Sequence, residues 1–104
     1  DGQEMASFKA RYGYALAPPQ TWQQLRDIAD FFYRPDAKPP RYGVALYTET
    51  AADGLAMGYT TALYSFGGAL GDYATCAVDG IVNAPTAIEA LEAYKALYRF
   101  PRPG

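Results

Sequence analysis

YGVALY, residues 42–47, is a nearly continuous apolar and aromatic run that is too short for a helix. Such runs are typical of strands that are buried in a mostly parallel sheet. We therefore predict a strand here, near the middle of the chain. Helical patterns precede and follow it, so the sequence predicts an α/β fold in which helices pack on a small sheet.

Two helices are predicted before this strand. The first covers residues 3–12, with Asp1 as its cap and Gly13 as its stop. The second begins after the N-cap Thr21 and ends before Pro35, and its apolar residues fall on one stripe. Both helices therefore carry their own start and stop signals.

A third helix is predicted after the strand, from Thr50 to the pair Gly67-Gly68. Gly54 and Gly58 lie inside it, and each weakens a helix by about 1 kcal/mol relative to alanine. We expect the close approach of a neighbouring element to explain both glycines.

The end of the chain is predicted as a small hairpin and a helix. Residues 71–82 have a short, irregular pattern with a turn at Asp79-Gly80. Asn83 is the expected cap of the last helix, and Pro85 lies in its first turn.

Length and composition indicate one globular domain or less. The chain has 104 residues, and half of them are apolar. No run approaches the ~20 apolar residues that a membrane span needs, so we expect no direct membrane span. Nine basic and eleven acidic residues leave a net charge of −2, which gives no electrostatic footprint for nucleic acid.

The types of residue present disfavour most enzyme chemistry. Histidine is absent, which removes the commonest general base and the commonest metal ligand. We therefore expect no enzyme activity, no metal and no cofactor. The single cysteine, Cys76, excludes an internal disulfide and is expected to be an inert, partly buried thiol.

Aromatic residues are numerous, with ten tyrosines and five phenylalanines. One interpretation is packing and surface. The other is a carbohydrate cleft, in which the C–H faces of a sugar lie on aromatic rings.

Four motifs in the chain are RYGYALAPPQTW at residues 11–22, YGVALY at 42–47, SFGG at 65–68 and NAPTAIEALEAY at 83–94. Their order resembles the second lobe of the extracellular solute-binding proteins of bacterial ABC importers (family 1, the sugar-binding group). That lobe typically reads KYGYxLAPPxTW, YGVAxY, a long helix that ends in SxGG, and NxPxAxEALExY. The resemblance covers nearly the whole chain.

The resemblance implies that residues 1–104 are a single domain or fragment, part of the second lobe of a periplasmic-binding-protein-like (type II) fold. It implies a role in transport, with a sugar or related polyol as the ligand. The partners would be the remaining lobe of the same protein and the membrane permease of the ABC transporter. The location would be periplasmic or extracellular, with a lipid anchor as an option in the full-length protein.

The resemblance also leads us to expect coding sequence on both sides of these residues. Because half of the cleft would then be absent, we expect the isolated chain to bind sugar weakly or not at all.

The loop after the predicted strand is the expected binding edge, because ligands of open α/β sheets lie beyond the carboxyl ends of strands. Thr48, Glu49, Thr50 and Asp53 could supply the hydrogen-bond donors and acceptors that hydroxyl-rich ligands need. The resemblance also implies ligand contacts in this loop and on the helix that follows. For each residue the alternative is a solvated loop position or a helix cap.

Two other functions stay open. A glycosidase fragment would use Glu49 and Asp53 as its carboxylates. A small protein-interaction module would explain the tyrosines without a ligand cleft. Trp22 is expected in the core, and Met57 and Tyr64 are expected on a second face of their helix.

Overall fold

The computed structural model describes residues 1–47 and 49–103, and at Leu55 the backbone alone. Four helices lie in this part of the chain: α1 (Gly2–Tyr12), α2 (Trp22–Phe32), α3 (Ala52–Ser65) and α4 (Pro85–Ala96). The chain forms two compact units. The first unit is Asp1–Ala45 with Phe100–Gly104, and the second unit is Leu46–Arg99.

The predicted α/β fold is wrong, because residues 1–47 and 49–103 contain no β-strand and no sheet. Residues 42–47, predicted as a strand, are irregular. Gly43 donates its N–H to the carbonyl of Phe100 at 3.0 Å instead of to a strand. An apolar run becomes a strand only where another strand offers a ladder of backbone partners, and the described residues offer none. The small sheet expected of a type II lobe is therefore missing from them.

The β pairing within the described residues is one isolated antiparallel bridge between Arg34 and Arg41. These two residues exchange backbone hydrogen bonds of 2.9 and 3.0 Å. Both guanidinium groups also lie near the carboxylate of Glu4, with N–O distances of 3.7 Å from Arg34 and 3.2 Å from Arg41. The bridge therefore closes the loop of residues 35–40, which holds three prolines. The two ion pairs with Glu4 join this loop to α1.

The hairpin predicted for residues 71–82 is also wrong, because this segment is built from turns and irregular backbone. The carboxylate of Asp72 accepts hydrogen bonds from the backbone N–H of Ala74 at 2.7 Å and of Thr75 at 3.2 Å. These two bonds lower the pKa of Asp72. Side chains that bind nearby backbone in this way compete with the ladder of a hairpin.

The start and stop signals of the first two helices are confirmed. Asp1 caps α1, and its carboxylate accepts from the N–H of Glu4 at 2.8 Å. Gly13 ends α1 with a φ of 85°, a left-handed conformation that glycine adopts without strain. Thr21 caps α2 by accepting from the N–H of Gln24 at 3.1 Å.

The cap predicted for the last helix is wrong. The N-cap residue of α4 is Ala84, whereas the side chain of Asn83 binds the preceding turn. Its amide oxygen accepts from the N–H of Gly80 at 2.6 Å, and its amide nitrogen donates to Asp79 at 3.0 Å. Asn83 therefore stabilises the turn at Asp79-Gly80 rather than the helix.

The first unit is built around Phe8 of α1, which is fully buried. Its ring meets the edges of Phe31 at 5.3 Å and Tyr14 at 5.2 Å, a favourable geometry for aromatic pairs. At the border of this cluster, Asp30 of α2 accepts from the hydroxyl of Tyr12 at 2.8 Å and from Arg11 at 2.6 Å. Aromatic packing and these polar bonds together join α1 to α2.

The second unit is built from α3 packed on α4. Their contact faces carry small residues, with Gly58 and Ala62 of α3 and Ala87 and Ala90 of α4 all buried. A Cβ atom at Gly58 would overlap the hydroxyl of Tyr94 on α4. The close approach expected at this glycine is therefore confirmed.

Candidate functional site

Three of the four predicted ligand residues lie in a short segment before and within the first turn of α3. We call residues 49–53 the binding segment. Glu49, Thr50 and Asp53 are all exposed there. The fourth, Thr48, lies outside the described residues. The structure thus presents polar groups of one segment to solvent, as a binding edge requires.

The two carboxylates of the binding segment accept no hydrogen bond from the described residues. Among residues 1–47 and 49–103, Glu49 and Asp53 have no hydrogen-bond or ion-pair partner from a side chain or the backbone. The N-cap residue of α3 is Ala51, which has no side-chain bond to the helix. Neither side chain caps an N–H group of α3, although the alternative of a solvated loop or first-turn position fits their exposure; their oxygens remain able to accept from a ligand.

A tyrosine pair fixes the chain just before the binding segment. The carbonyl of Tyr47 accepts from the hydroxyl of Tyr94 at 3.2 Å and from the hydroxyl of Tyr98 at 3.4 Å. The rings of Tyr94 and Tyr98 lie edge to face, with centroids 5.4 Å apart. One carbonyl can accept both bonds because it has two lone pairs.

Burial raises the pKa of the first of these donors, the hydroxyl of Tyr94. Tyr94 is 4% exposed, and this burial, together with the neighbouring Tyr98, raises the pKa of its hydroxyl. A protonated hydroxyl can donate, whereas a phenolate cannot. Tyrosine is protonated at neutral pH in any case, and the raised pKa lets the Tyr94 hydroxyl remain a donor to a higher pH than an exposed tyrosine.

The first residue of the binding segment, Glu49, packs against α3. A Cβ atom at Gly54 would lie 2.9 Å from the Cβ of Glu49 and 3.2 Å from its carbonyl oxygen. Glycine at this position lets Glu49 approach the helix closely, so the close approach expected at Gly54 comes from the loop just before α3 and not from a neighbouring element. Asp53, in the first turn, gains from the positive end of the helix dipole.

The tyrosine cluster that includes Tyr47, two residues before the binding segment in sequence, carries exposed aromatic surface. Tyr47 is 55% exposed and Tyr98 is 39% exposed, and both belong to the same hydrogen-bonded cluster. An exposed ring offers an apolar face, and an unpaired carboxylate offers acceptors. A ligand with hydroxyl groups and apolar C–H faces would be complementary to both.

Sequence reasoning missed Tyr94 and Tyr98 as parts of this site. The available signal was their spacing of four residues near the end of the last helix pattern, which places both rings on one face. Nothing in that spacing indicates the carbonyl that they bind, because Tyr47 lies 47 and 51 residues away in sequence.

The other residues singled out in the sequence have different outcomes. Met57 and Tyr64 are exposed on α3, at 54% and 53%, as expected of a second face. Trp22 was expected in the core, but it is only partly buried. Cys76 is exposed with a φ of 57°, and the expectation of a partly buried thiol is wrong because it lies in the turn segment.

Within residues 1–47 and 49–103, no three residues among His, Cys, Asp and Glu are grouped as a metal site would require. The helices of this same part of the chain are all too short or too polar to cross a membrane. Comparison of the chain with protein-family models, with curated proteins and with solved structures finds no match.

Proposed function

We propose that this chain binds a sugar or related polyol as part of the solute-binding protein of an ABC importer, without catalysis. The observation that carries the proposal is the exposed binding segment, whose carboxylates have no partner among the described residues and which follows the hydrogen-bonded Tyr47 by two residues in sequence. The order of the four motifs over residues 11–94 supports the same assignment.

The chemistry of the segment suits a neutral, hydroxyl-rich ligand. Glu49 and Asp53 would accept hydrogen bonds from ligand hydroxyls, and Thr48 and Thr50 could both donate and accept. Hydrogen bonds to charged groups contribute about 1.5 to 3 kcal/mol each. The absence of histidine from the sequence favours binding over acid-base catalysis.

Under this proposal the chain is one part of a longer receptor in the periplasm or outside the cell. Its partners would be the remaining lobe and the membrane permease. Two lobes that close on a ligand would supply the contacts that one exposed segment lacks.

Calorimetric titration of the protein that contains this chain, with a panel of monosaccharides, oligosaccharides and sugar alcohols, tests the proposal. Glu49→Ala and Asp53→Ala should each weaken binding of the ligand found by roughly 1 to 3 kcal/mol. Glu89→Ala and Glu92→Ala are matched controls, because both carboxylates are exposed on α4 outside the segment. Wild-type affinity in both segment variants, or no binding to any sugar, would contradict the proposal.

A protein-interaction module is the second candidate, and a specific observation favours it. Ile88 and Leu91, one turn apart on α4, are 53% and 44% exposed. Apolar side chains grouped on a surface are typical of protein contacts. Self-association of the chain that no sugar affects, measured by analytical ultracentrifugation, would favour this function over sugar binding.

A further inference from the structure

We propose that Tyr94, Tyr98 and Gly58 are positioning residues, which set the orientation of the binding segment through the carbonyl of Tyr47. The proposal deepens the sugar-binding function above and rests on it. None of the three residues belongs to the segment, and none was predicted as part of the site.

The first step is the peptide group after Tyr47. Both tyrosine hydroxyls bind its carbonyl oxygen, at 3.2 and 3.4 Å. A carbonyl held by two hydrogen bonds restricts rotation of the Tyr47 backbone, which adopts one orientation. The binding segment begins two residues after Tyr47, so the chain is anchored just before the segment by Tyr94 of α4 and by Tyr98.

The second step is the contact between the first residue of the segment and the residue that follows the segment. Glu49 packs against Gly54, where a side chain would meet its Cβ and carbonyl oxygen. The contact of Glu49 with Gly54 encloses the five residues of the segment in a tight turn, which leaves them few conformations. Glu49 and Asp53 are then presented in one arrangement, and a ligand does not have to order them.

The third step is the support behind Tyr94. Its hydroxyl lies where a Cβ atom at Gly58 would be, so the small residue in α3 admits the hydroxyl to the Tyr47 carbonyl. A methyl group at position 58 would displace this hydroxyl. Gly58 thus acts on the segment through Tyr94, without touching the segment itself.

A variant of Tyr98 can distinguish a positioning role from a role in core packing. Tyr98 is 39% exposed, so removing its hydroxyl leaves no cavity in the core. Tyr59→Phe is the matched control, because the hydroxyl of Tyr59 donates to the carbonyl of Ala87 at 3.2 Å. That bond joins α3 to α4 and is as long as the Tyr94 bond, but it does not reach Tyr47.

The first test uses the 104-residue chain. Backbone order parameters of Glu49 and Thr50 are measured by nitrogen-15 relaxation in wild type, Tyr94→Phe, Tyr98→Phe, Gly58→Ala and Tyr59→Phe. The first three variants should lower both order parameters from about 0.85 toward 0.6 or less, and leave the amide of Ala90 on α4 unchanged. The control should match wild type. If Gly58→Ala does not fold, Tyr98→Phe decides.

Equal order parameters at Glu49 and Thr50 in Tyr98→Phe and in the Tyr59→Phe control would overturn the proposal. A uniform loss of order, including Ala90, would also overturn it, because it would show a structural role alone.

The second test is titration of the protein that contains the chain with glucose, maltose and sorbitol. Tyr94→Phe and Tyr98→Phe should raise the Kd of a sugar that binds by roughly 2- to 10-fold, as expected for loss of one modest hydrogen bond. If the segment loosens in both variants but no probe binds even the wild type, the proposed function fails and the positioning role stands. If Glu49→Ala weakens binding and Tyr98→Phe does not, the positioning role fails and the function stands.

Discussion

Tyr12 shows how burial and charge act on one hydroxyl in the first unit. Burial raises the pKa of Tyr12 to about 12, and the hydrogen bond to Asp30 and the charge of that carboxylate add to the shift. The folded state therefore holds the phenolic proton more tightly than the unfolded chain, in which the pKa of tyrosine is about 10. By linkage, the resulting stabilisation is complete below about pH 10 and is lost as pH rises toward about 12.

Denaturant titrations between about pH 9 and 12 should show this loss. The free energy of unfolding of wild type should fall more steeply over this range than that of Tyr12→Phe, which has no proton to lose at this position. Tyr73→Phe is the control, because Tyr73 is 96% exposed. The free energy of unfolding of this variant should change with pH as it does in wild type. Parallel profiles for wild type and Tyr12→Phe would show that Asp30 and burial do not hold this proton.

Phe8 is the residue on which the first unit depends most. It is fully buried among aromatic rings, so Phe8→Ala should lower the free energy of unfolding by about 3 to 5 kcal/mol. Met5→Ala on the same helix, at a site that is 51% exposed, should change it by no more than about 0.5 kcal/mol. Trp22→Ala should fall between the two, since Trp22 is partly buried. Equal melting temperatures for the Phe8 and Met5 variants would contradict this core.

At the scale of elements, the helices differ in how they begin. Thr21 caps α2 with its side chain, whereas Ala51 and Ala84 begin α3 and α4 without one. Thr21→Ala should therefore cost about 0.5 to 2 kcal/mol of stability. Ala51→Ser should act in the opposite direction, because position 51 already has the extended backbone of an N-cap residue. Thermal unfolding of the two variants checks both signs, and a stabilising Thr21→Ala would contradict the cap.

Replacing Gly58 by alanine has two opposite effects on stability, one from helix propensity and one from packing. Alanine is the better helix former by about 1 kcal/mol, so propensity alone predicts that Gly58→Ala stabilises the chain. Its methyl group would overlap the Tyr94 hydroxyl, and overpacking of this kind typically costs about 1 to 3 kcal/mol. We expect the variant to be less stable than wild type by chemical denaturation. Gly2→Ala is the control, because nothing lies near a Cβ there, and it should not destabilise.

All four helices were predictable from the sequence because their signals are local. Asp1, Gly13 and Thr21 act within one turn of the bonds that they make, so a pattern read along the chain finds them. A strand depends on a partner that the local pattern does not contain. The run at residues 42–47 has the composition of a strand, but the described residues provide no ladder for it, and the fold-class prediction failed there.

For the molecule as a whole, the same distinction between local and distant contacts divides the candidate site. The exposed polar residues of the binding segment could be predicted, because charge and position after the apolar run are read directly from the sequence. The hydrogen bonds from Tyr94 and Tyr98 could not be predicted, because they reach a carbonyl that lies far away in the sequence. Pairing of this kind is decided by the packing of α3 on α4 through their small residues.

The second unit leaves large apolar side chains in contact with water. Met57 and Tyr64 on α3, and Ile88 and Leu91 on α4, are each between 44% and 54% exposed. The buried face of α4 is formed instead by Ala87, Ala90 and Tyr94, and Leu97, just after the helix, is buried as well. Exposed apolar groups of this size bind hydrophobic dyes, because the dye removes apolar surface from water.

We therefore expect the folded chain to increase the fluorescence of anilinonaphthalene sulfonate, and the double variant Ile88→Ser and Leu91→Ser to reduce that increase. Because both side chains lie outside the contact between α3 and α4, the melting temperature should stay within a few degrees of wild type. Leu97→Ser is the control, since Leu97 is fully buried and its replacement should lower the melting temperature while exposing further apolar surface. Dye fluorescence that the Ile88 and Leu91 changes leave untouched would show that these two residues do not form the exposed surface.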